Sequence, residues 1–247
     1  MVPDEEAGTE RLTEALILAG GKAERLGDAA GGRPKPLVQV GGRPLIAYQV
    51  EQLARAGVIR VIVSCSAGQE DLFERAFEGL GPEVVMAPEQ ERLGRGGGLR
   101  NAAGLREEAG PVYALNGDEL VDLDLRVLIE RHLERRPAAT ITVVRPPSPF
   151  GLVELDEGDV VTGFDEEATL PVWVSCGVYV LDDEAIERLP ERGDHETTTF
   201  PELAAERRLQ AIRHEGLWLT VNTPKQLRLA DEHLRKNPNA VFDTARG

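Results

Sequence analysis

The stretch at residues 16–45 carries the residue types that an anion-binding site needs. An apolar run at residues 15–18, which predicts a buried strand, ends at a glycine pair, and a second pair at 41–42 precedes a predicted helix. The loop between the pairs holds four basic side chains: Lys22, Arg25, Arg33 and Lys35. Backbone N–H groups at glycine turns can point toward an anion, and the basic side chains supply countercharge. This stretch therefore predicts a binding loop for a nucleoside triphosphate.

Two common phosphate-binding motifs do not fit this loop. A dinucleotide fingerprint needs G-x-G-x-x-G opening a helix directly, whereas Gly20-Gly21 leads into a loop of about 20 residues. A P-loop is excluded because no G-K-[ST] ends a G-x-x-x-x run. Only four of the 28 basic residues are lysines, and two of them, Lys22 and Lys35, lie in this loop. A lysine in an arginine-rich chain suggests the use of a compact point charge.

Composition excludes several classes of protein. The net charge of −15 repels nucleic-acid backbones, and no apolar run approaches the ~20 residues of a membrane helix. Cys65 and Cys176 are too far apart for a zinc spacing and form no disulfide framework, so a cytoplasmic location is expected. We expect neither nucleic-acid nor membrane binding, and the sequence leaves homo-oligomerisation open. Because the chain would also repel a triphosphate, the site must gather positive charge or recruit a divalent cation.

Strands alternating with helices predict an α/β fold with a mostly parallel sheet. In the first half, strands are predicted at residues 14–19, 58–64, 84–86 and 112–116, and helices at 44–56, 71–77 and 125–133. A second glycine-rich connector at residues 88–104 is predicted to end in a helix that continues toward residue 108. Ligands bind at the carboxyl ends of strands in such sheets, so both glycine loops and Asp118 should converge.

The second half has a different pattern. Strands are predicted at residues 139–147, 172–181, 209–216 and 217–221, a hairpin at 151–165, and helices at 182–189, 200–208 and 224–235. We interpret residues 13–236 as one domain with a nucleotide-binding half (13–138) and a sugar-binding half (139–236). Residues 1–12 are predicted to be a flexible leader, and residues 237–247 a loose tail.

Five ordered segments carry a family resemblance. They are L-A-G-G-K-A-E-R-L with P-K-P-L, then E-R-L-G-R-G-G-G-L, then L-N-G-D, then G-F-D-E-E with S-C-G-V-Y-V-L, and last L-W-L-T-V-N-T-P-K-Q-L. Together they resemble the sugar-1-phosphate nucleotidyltransferases (nucleotide-sugar pyrophosphorylases), in particular the mannose-1-phosphate guanylyltransferases. The resemblance implies a Rossmann-like three-layer α/β/α fold, the nucleotide-diphospho-sugar transferase fold, without a β-helix domain. It also implies nucleotidyl transfer from an NTP to a sugar-1-phosphate with Mg²⁺ as cofactor.

The resemblance assigns roles to particular residues. Arg25 would grip the leaving pyrophosphate and Lys35 would reach the α-phosphate and the sugar phosphate. Asp118 and Asn222 would hold Mg²⁺, although Asn222 could instead cap the following helix and Asp118 the following segment. The implied nucleotide-binding residues are Leu18, Ala19, Gly20, Gly21, Lys22, Glu91, Gly94 and Gly96. The implied sugar-binding residues are Gly151, Glu166, Ser175 and Gly177.

Several positions depart from the family pattern. Ala23 and Glu24 replace the usual Gly-Thr, Arg95 replaces a Thr, and Thr220 replaces a metal-binding Asp. Glu167 or Ala168 stands where a lysine usually meets the sugar phosphate. Thr220, Glu167 and Arg95 keep open the alternative of a non-catalytic regulatory homologue that binds nucleotide sugar. The opening segment also resembles the molybdenum-cofactor guanylyltransferases, and the inositol-phosphate cytidylyltransferases are similar, so a molybdenum-cofactor or an inositol-phosphate nucleotidyltransferase are two further alternatives.

We expect the remaining polar and aromatic residues to have structural rather than functional roles. The acidic residues that follow Asp118 (Glu119, Asp122 and Asp124) are expected to be solvated loop charges. The four histidines have no ligand spacing and are expected at the surface: His132, His195, His214 and His233. Trp173 and Trp218 lie in apolar strands and are expected in the core.

Overall fold

A seven-stranded sheet forms the centre of the protein. The structure, a computed structural model, describes residues 11–21 and 23–244. The strands are β1 Glu14–Leu18, β2 Gln39–Val40, β3 Arg43–Pro44, β4 Arg60–Ser66, β5 Glu83–Glu89, β6 Val112–Asn116, β7 Glu119–Val121, β8 Ala139–Val144, β9 Leu152–Leu155, β10 Val161–Asp165, β11 Val174–Leu181, β12 Leu209–Arg213 and β13 Trp218–Thr220. The main sheet has the order β12-β8-β11-β6-β1-β4-β5. Within it, β11 runs antiparallel to both its neighbours, and the other adjacent pairs are parallel. The predicted mostly parallel sheet is confirmed.

Helices cover both faces of this sheet. They are α1 Leu45–Ala56, α2 Glu70–Phe77, α3 Gly94–Ala103, α4 Leu125–Arg135, α5 Asp183–Glu187, α6 Thr199–Ala205 and α7 Pro224–Lys236. Alternate residues of the central strands point to opposite sides, so Ile17 packs with α1, α2 and α4, whereas Leu16 packs with α3, α5 and α6. This is the predicted three-layer α/β/α arrangement, and the described residues contain no β-helix. None of the helices in these residues is long and apolar enough to cross a membrane.

A third apolar cluster joins the loop that follows β1 (residues 19–38, the signature loop) to the last helix. Leu26 and Tyr48 pack here with α7 and with Val241, which is fully buried. Phe242 stacks on Tyr48 with the ring centroids 6.1 Å apart. The predicted loose tail is therefore wrong for residues 240–242. The predicted leader is wrong at its last residue because Leu12 packs in the main core, and residues 1–10 and 245–247 lie outside the described residues.

The second glycine-rich connector is not the loop that the sequence predicted. The helix α3 begins at Gly94, so the buried glycines 96–98 lie inside it, and it ends at Ala103 rather than near residue 108. A Cβ atom on Gly97 would lie 2.6 Å from the carbonyl oxygen of Glu191. Glycine is required here because a neighbouring loop approaches the helix backbone closely, which no local sequence rule detects.

Three of the four histidines are buried, contrary to expectation. The ring Nδ1 of His132 lies 2.9 Å from Thr140 Oγ1, and the ring Nε2 of His214 lies 2.6 Å from Asp122 Oδ1. His195 is fully buried against other aromatic rings, whereas His233 is half-buried. The prediction of surface histidines is wrong because each buried ring packs against residues of other elements.

The two tryptophans are half-buried rather than in the core. Trp218 packs against the edge of the main core. The guanidinium groups of Arg145 and Arg213 lie over the ring of Trp173, at 4.8 and 5.3 Å from its centroid. The expectation of core positions is therefore only partly met.

Candidate active site

Lys35 lies at the centre of the candidate site. Its buried Nζ donates to Asp118 Oδ2 and to Asn222 Oδ1, each at 2.6 Å. Arg25 donates from Nη2 to the same Asn222 oxygen at 3.3 Å. The structure therefore brings together all four residues predicted to act in catalysis and metal binding, although 197 positions separate Arg25 from Asn222.

Three strand ends position these side chains. Lys35 opens a short 3₁₀ helix (Lys35–Leu37) in the loop after β1, and its N–H donates to Gly21 O at 3.2 Å. Gly117 follows β6 and donates from its N–H to Leu18 O at 2.8 Å; a Cβ there would lie 2.5 Å from that oxygen. This close approach places the next residue, Asp118, at the carboxyl end of the sheet, where parallel strands bind ligands. Asn222 follows β13, which pairs with β7 just after Asp118.

These side chains open onto a cleft of about 730 Å³. Its lining residues are Leu18, Gly21, Ala23, Arg25, Leu26, Lys35, Pro36, Arg92, Gly94, Arg95, Asn116, Asp118, Glu119, Gly193, Asp194 and Asn222. A cleft of this size accommodates a ligand as large as a nucleotide.

The predicted nucleotide-binding residues separate into two groups. Leu18, Gly21 and Gly94 line the cleft. The others do not: Ala19 is buried, Gly20 faces a smaller cavity of about 350 Å³, the Gly96 N–H donates to Gly193 O, and exposed Glu91 pairs with Arg192. Lys22 lies outside the described residues.

None of the four predicted sugar-binding residues lines the cleft. Gly177, with a φ of +72°, lies directly against the Asn116 side chain, which does line it. Ser175 donates from Oγ to the Tyr179 hydroxyl oxygen at 3.3 Å. Gly151 and Glu166 lie next to each other at the base of the β9–β10 hairpin. Their roles stay predictions.

Sequence reasoning missed an ion-pair cluster whose Arg95 and Asp194 line the same cleft. Arg95 pairs with Asp194 and, at 2.8 Å, with Glu196. The N–H of Gly193 donates to Leu93 O at 2.7 Å, so the loop that carries these carboxylates is tied to the start of α3. The two acidic residues of the segment G-D-H-E at residues 193–196 could have indicated this cluster, but only the histidine of the segment was interpreted from the sequence. That histidine is not in the cleft lining.

Glu119 is part of the site rather than a solvated loop charge. It lines the cleft, and Trp218 Nε1 donates to its Oε2 at 2.8 Å. Burial raises the pKa of Glu119 to about 7, against the lowering effect of the Trp218 hydrogen bond. The same expectation is wrong for Asp122, which is buried beside His214, and for Asp124, which caps α4 by accepting from Arg126 N–H at 3.0 Å.

The comparisons with known proteins agree with this geometry. The family model described as "Nucleotidyl transferase" matches residues 14–237. The chain belongs to this family. The match includes all four converging residues, and it confirms the resemblance stated from the sequence motifs.

Several curated nucleotidyl transferases resemble the chain over most of its length. A mannose-1-phosphate guanyltransferase of Yarrowia lipolytica is 32% identical over 250 residues, covering 94% of this chain and 68% of that protein. A mannose-1-phosphate guanylyltransferase of Mycobacterium tuberculosis is also 32% identical, covering 86% of this chain and 62% of that protein. The chain spans between 60% and 68% of the length of such relatives.

Solved structures share the fold. HddC from Yersinia pseudotuberculosis has a TM-score of 0.71 and 25% identity, covering 90% of this chain and 100% of that chain. The inositol-1-phosphate CTP transferase from T. maritima has a TM-score of 0.72 at 19% identity, covering 93% of this chain and 97% of that one. At that identity the second likeness concerns the fold alone.

The signature loop of this nucleotidyl transferase accommodates its unusual residues Ala23 and Glu24. A 3₁₀ segment, Glu24–Ala30, follows Ala23 and is anchored by buried Leu26. Glu24 is exposed and does not line the main cleft, whereas Ala23 and Arg25 do. Glu24 instead lines the smaller cavity together with Gly20 and Gly21.

Proposed function

We propose that this protein transfers a nucleotidyl group from a nucleoside triphosphate to a sugar-1-phosphate, releasing pyrophosphate. One observation carries the proposal: two cations, Arg25 and Lys35, and two oxygen ligands, Asp118 and Asn222, meet in a nucleotide-sized cleft. Membership of the nucleotidyl transferase family supports the same reaction.

The reaction needs alignment more than activation. An oxygen of the sugar phosphate attacks the α-phosphorus, a new P–O bond forms, and the bond between that phosphorus and the α–β bridging oxygen breaks as pyrophosphate leaves. The attacking oxygen is already an anion near neutral pH, so no serine, cysteine or histidine nucleophile is required. Lys35 and Arg25 hold the negative oxygens in line and offset the charge that develops on them.

Asp118 and Asn222 fit a divalent cation, for which we propose Mg²⁺. Their carboxylate and amide oxygens are the hard donors that Mg²⁺ prefers, and both already lie 2.6 Å from the single positive charge of Lys35 Nζ. No cluster of three or more His, Cys, Asp or Glu side chains able to hold a metal occurs in residues 11–21 and 23–244, so phosphates and water would complete the coordination. When bound, the cation supplies further charge neutralisation at the phosphates.

Guanylyl transfer to mannose-1-phosphate is the proposed specific reaction. The curated relatives at about one-third identity carry that activity in their names. HddC, a structural relative, was solved in complex with GMP-PN, which is a guanine nucleotide analogue. Both findings favour GTP over other nucleoside triphosphates for this chain.

A pyrophosphate-release assay with five NTPs against several sugar phosphates and inositol phosphate tests the proposal. The expected result is release with GTP and mannose-1-phosphate, lost in Asp118→Ala. Activity with CTP and inositol phosphate would instead identify the inositol-phosphate alternative. Binding of GDP-mannose in a thermal-shift assay without turnover of any pair would identify a regulatory homologue and overturn the proposed activity.

A further inference from the structure

Asn116 has a hydrogen-bonding atom without a partner among the described residues. It ends β6 and is only 8% exposed, and its Nδ2 donates to the Tyr179 hydroxyl oxygen at 3.3 Å, whereas its Oδ1 accepts from no described group. Six described residues have a buried side-chain nitrogen or oxygen of this kind, and Asn116 is the only one of the six that lines the cleft. Buried amide oxygens are rarely left unpaired, because the loss of hydration is costly. A donor group of a ligand in the cleft would satisfy this oxygen.

A chain of hydrogen bonds fixes the orientation of this amide. Tyr179 is fully buried and its hydroxyl lies 3.2 Å from Glu196 Oε1, while Glu196 Oε2 lies 2.8 Å from Arg95 Nη1. A carboxylate only accepts, so Tyr179 donates its hydroxyl proton to Glu196 and can only accept from Asn116. Asn116 must therefore present its NH₂ group to Tyr179, which leaves Oδ1 for another donor. Gly177 packs against the same amide, since a Cβ atom there would lie 2.8 Å from Asn116 Nδ2.

The surroundings of Asn116 favour a neutral donor. Glu119 lines the same cleft three residues later, and the neutral indole N–H of Trp218 binds its carboxyl group. When ionised, this carboxyl group repels a phosphate, whereas hydroxyl groups are neutral donors that carboxyl and amide oxygens both accept. The donor to Asn116 Oδ1 is therefore expected on an uncharged part of the ligand.

Among neutral donors, a sugar hydroxyl lies nearest to the reacting phosphates. Asn116 is two residues from Asp118, so their Cα atoms are at most roughly 7 Å apart. Asp118 contacts Lys35, the cation proposed to act on those phosphates. In a sugar-1-phosphate, the C2 hydroxyl group is on the carbon next to the one that bears the phosphate, whereas the base of a nucleotide is separated from its α-phosphate by a whole ribose. The position of Asn116 therefore favours the sugar over the base.

We propose that Asn116 Oδ1 accepts a hydrogen bond from a hydroxyl group of the sugar phosphate and so selects substrates that carry this hydroxyl group. Tyr179, Glu196 and Arg95 are positioning residues, because they hold the amide in the orientation that presents its oxygen. This inference rests on the proposed function, since it names a contact with the same substrate. Gly177, which the family resemblance assigns to sugar binding, would act through Asn116 by leaving room for its amide.

Substrate analogues that lack single hydroxyl groups test the contact. Pyrophosphate release with mannose-1-phosphate and with each of its monodeoxy analogues gives kcat/KM for wild type and for Asn116→Leu; if the NTP panel identifies another sugar phosphate, its analogues are used. Wild type should discriminate against one analogue by about tenfold, and Asn116→Leu should lose this discrimination because the accepting oxygen is gone. A purely structural role would weaken all these substrates equally. Asn101→Leu on α3, a half-buried asparagine outside the cleft lining, is the matched control and should discriminate like wild type.

Tyr179→Phe tests the positioning chain. It removes the hydroxyl group that holds the amide and leaves Asn116 in place, so the preference for the selected hydroxyl group should fall by about threefold or more. Tyr113→Phe, on the same strand as Asn116, removes a buried hydroxyl group that donates to Leu125 O at 2.8 Å, and it should leave the preference unchanged. A Tyr179→Phe variant with the full preference would overturn the positioning role. Thermal melting verifies folding, and Asn116→Ala replaces Asn116→Leu if that variant does not fold.

Equilibrium binding separates a failure of this inference from a failure of the proposed reaction. In isothermal titration calorimetry, Asn116→Leu should bind GDP-mannose about tenfold more weakly than wild type and should bind GDP unchanged. That result in a protein without turnover would refute the proposed reaction and support the sugar contact. Turnover by wild type with the same hydroxyl preference in Asn116→Leu, or an equal loss of affinity for GDP, would overturn the contact alone. A wild type that neither turns over nor binds GDP-mannose would overturn both.

Discussion

Replacing Lys35 by methionine removes the positive charge at the centre of the site and keeps an unbranched side chain of similar length. Its Nζ donates to both Asp118 and Asn222 at 2.6 Å, and only 7% of the residue is exposed. If this charge stabilises phosphate oxygens in the transition state, its loss should reduce kcat by about 10²–10³-fold, as for other preorganised electrostatic contacts. The variant should therefore bind GTP but release little pyrophosphate.

The same substitution should leave the fold intact. The Asp118 side chain is 34% exposed, so water can solvate its carboxylate after the lysine is lost. A partly solvated ion pair contributes at most about 1 kcal/mol, which corresponds to a shift in melting temperature of roughly 2–4 °C for a chain of this size. Catalysis and stability are thus expected to change by very different amounts.

Steady-state pyrophosphate release and thermal melting measure the two effects separately. Lys225→Met, at an exposed lysine of α7, is the matched control and should behave as wild type. Activity of Lys35→Met within threefold of wild type would refute the role of this charge. A large loss of melting temperature would show instead that Lys35 mainly stabilises the fold.

Three further substitutions have defined outcomes. Burial raises the pKa of Glu119 from 4.5 to about 7, so ionisation of this side chain lowers the stability of the folded state as the pH rises from about 4.5 to 7. Glu119→Gln should remove this loss of stability, which is measured as the melting temperature at each pH. Burial lowers the pKa of His195 from 6.5 to about 4, so its protonation favours unfolding as the pH falls from about 6.5 to 4. In an acid titration followed by circular dichroism, His195→Leu should therefore unfold at a lower pH than wild type. Val241→Ala should lower the free energy of unfolding by about 2 kcal/mol in denaturant titrations, and an unchanged value would restore the idea of a loose tail.

The position of the site could be predicted from the sequence because it depends on topology. Parallel strands carry their carboxyl ends to one edge, so the loop after β1 and Asp118 after β6 had to lie near each other. Asn222 required the resemblance of V-N-T to the family pattern, since nothing local distinguishes it from a helix cap. The close approach of Lys35 to both follows once these three segments are placed.

Two contacts of the cleft residues Glu119 and Arg95 could not be predicted, because they join distant segments. Trp218 and Glu119 are 99 positions apart, as are Arg95 and Asp194. Local composition indicates only that a carboxylate is polar, so it predicts solvation, whereas the fold supplies a specific partner. The glycines of α3 predicted a loop rather than a helix for the same reason. Glycine is required there because a loop almost a hundred residues later in the sequence packs against the helix backbone.

The charges around the cleft imply how a ligand is oriented. Arg25 contacts only an amide oxygen among the described residues, so its charge is available to an anion. The charge of Arg95 is offset by Asp194 and Glu196, whereas Arg92, which also lines the cleft, has no ion-pair partner among the described residues. A triphosphate gains most where positive charge is uncompensated, while an uncharged base or sugar meets no such preference. We infer that the phosphates contact Arg25 or Arg92, because these two cations of the cleft lining are the ones whose charge is not offset by a carboxylate among the described residues. Arg95, whose charge is already offset by Asp194 and Glu196, is left with a hydrogen-bonding role rather than that of the missing phosphate-binding lysine.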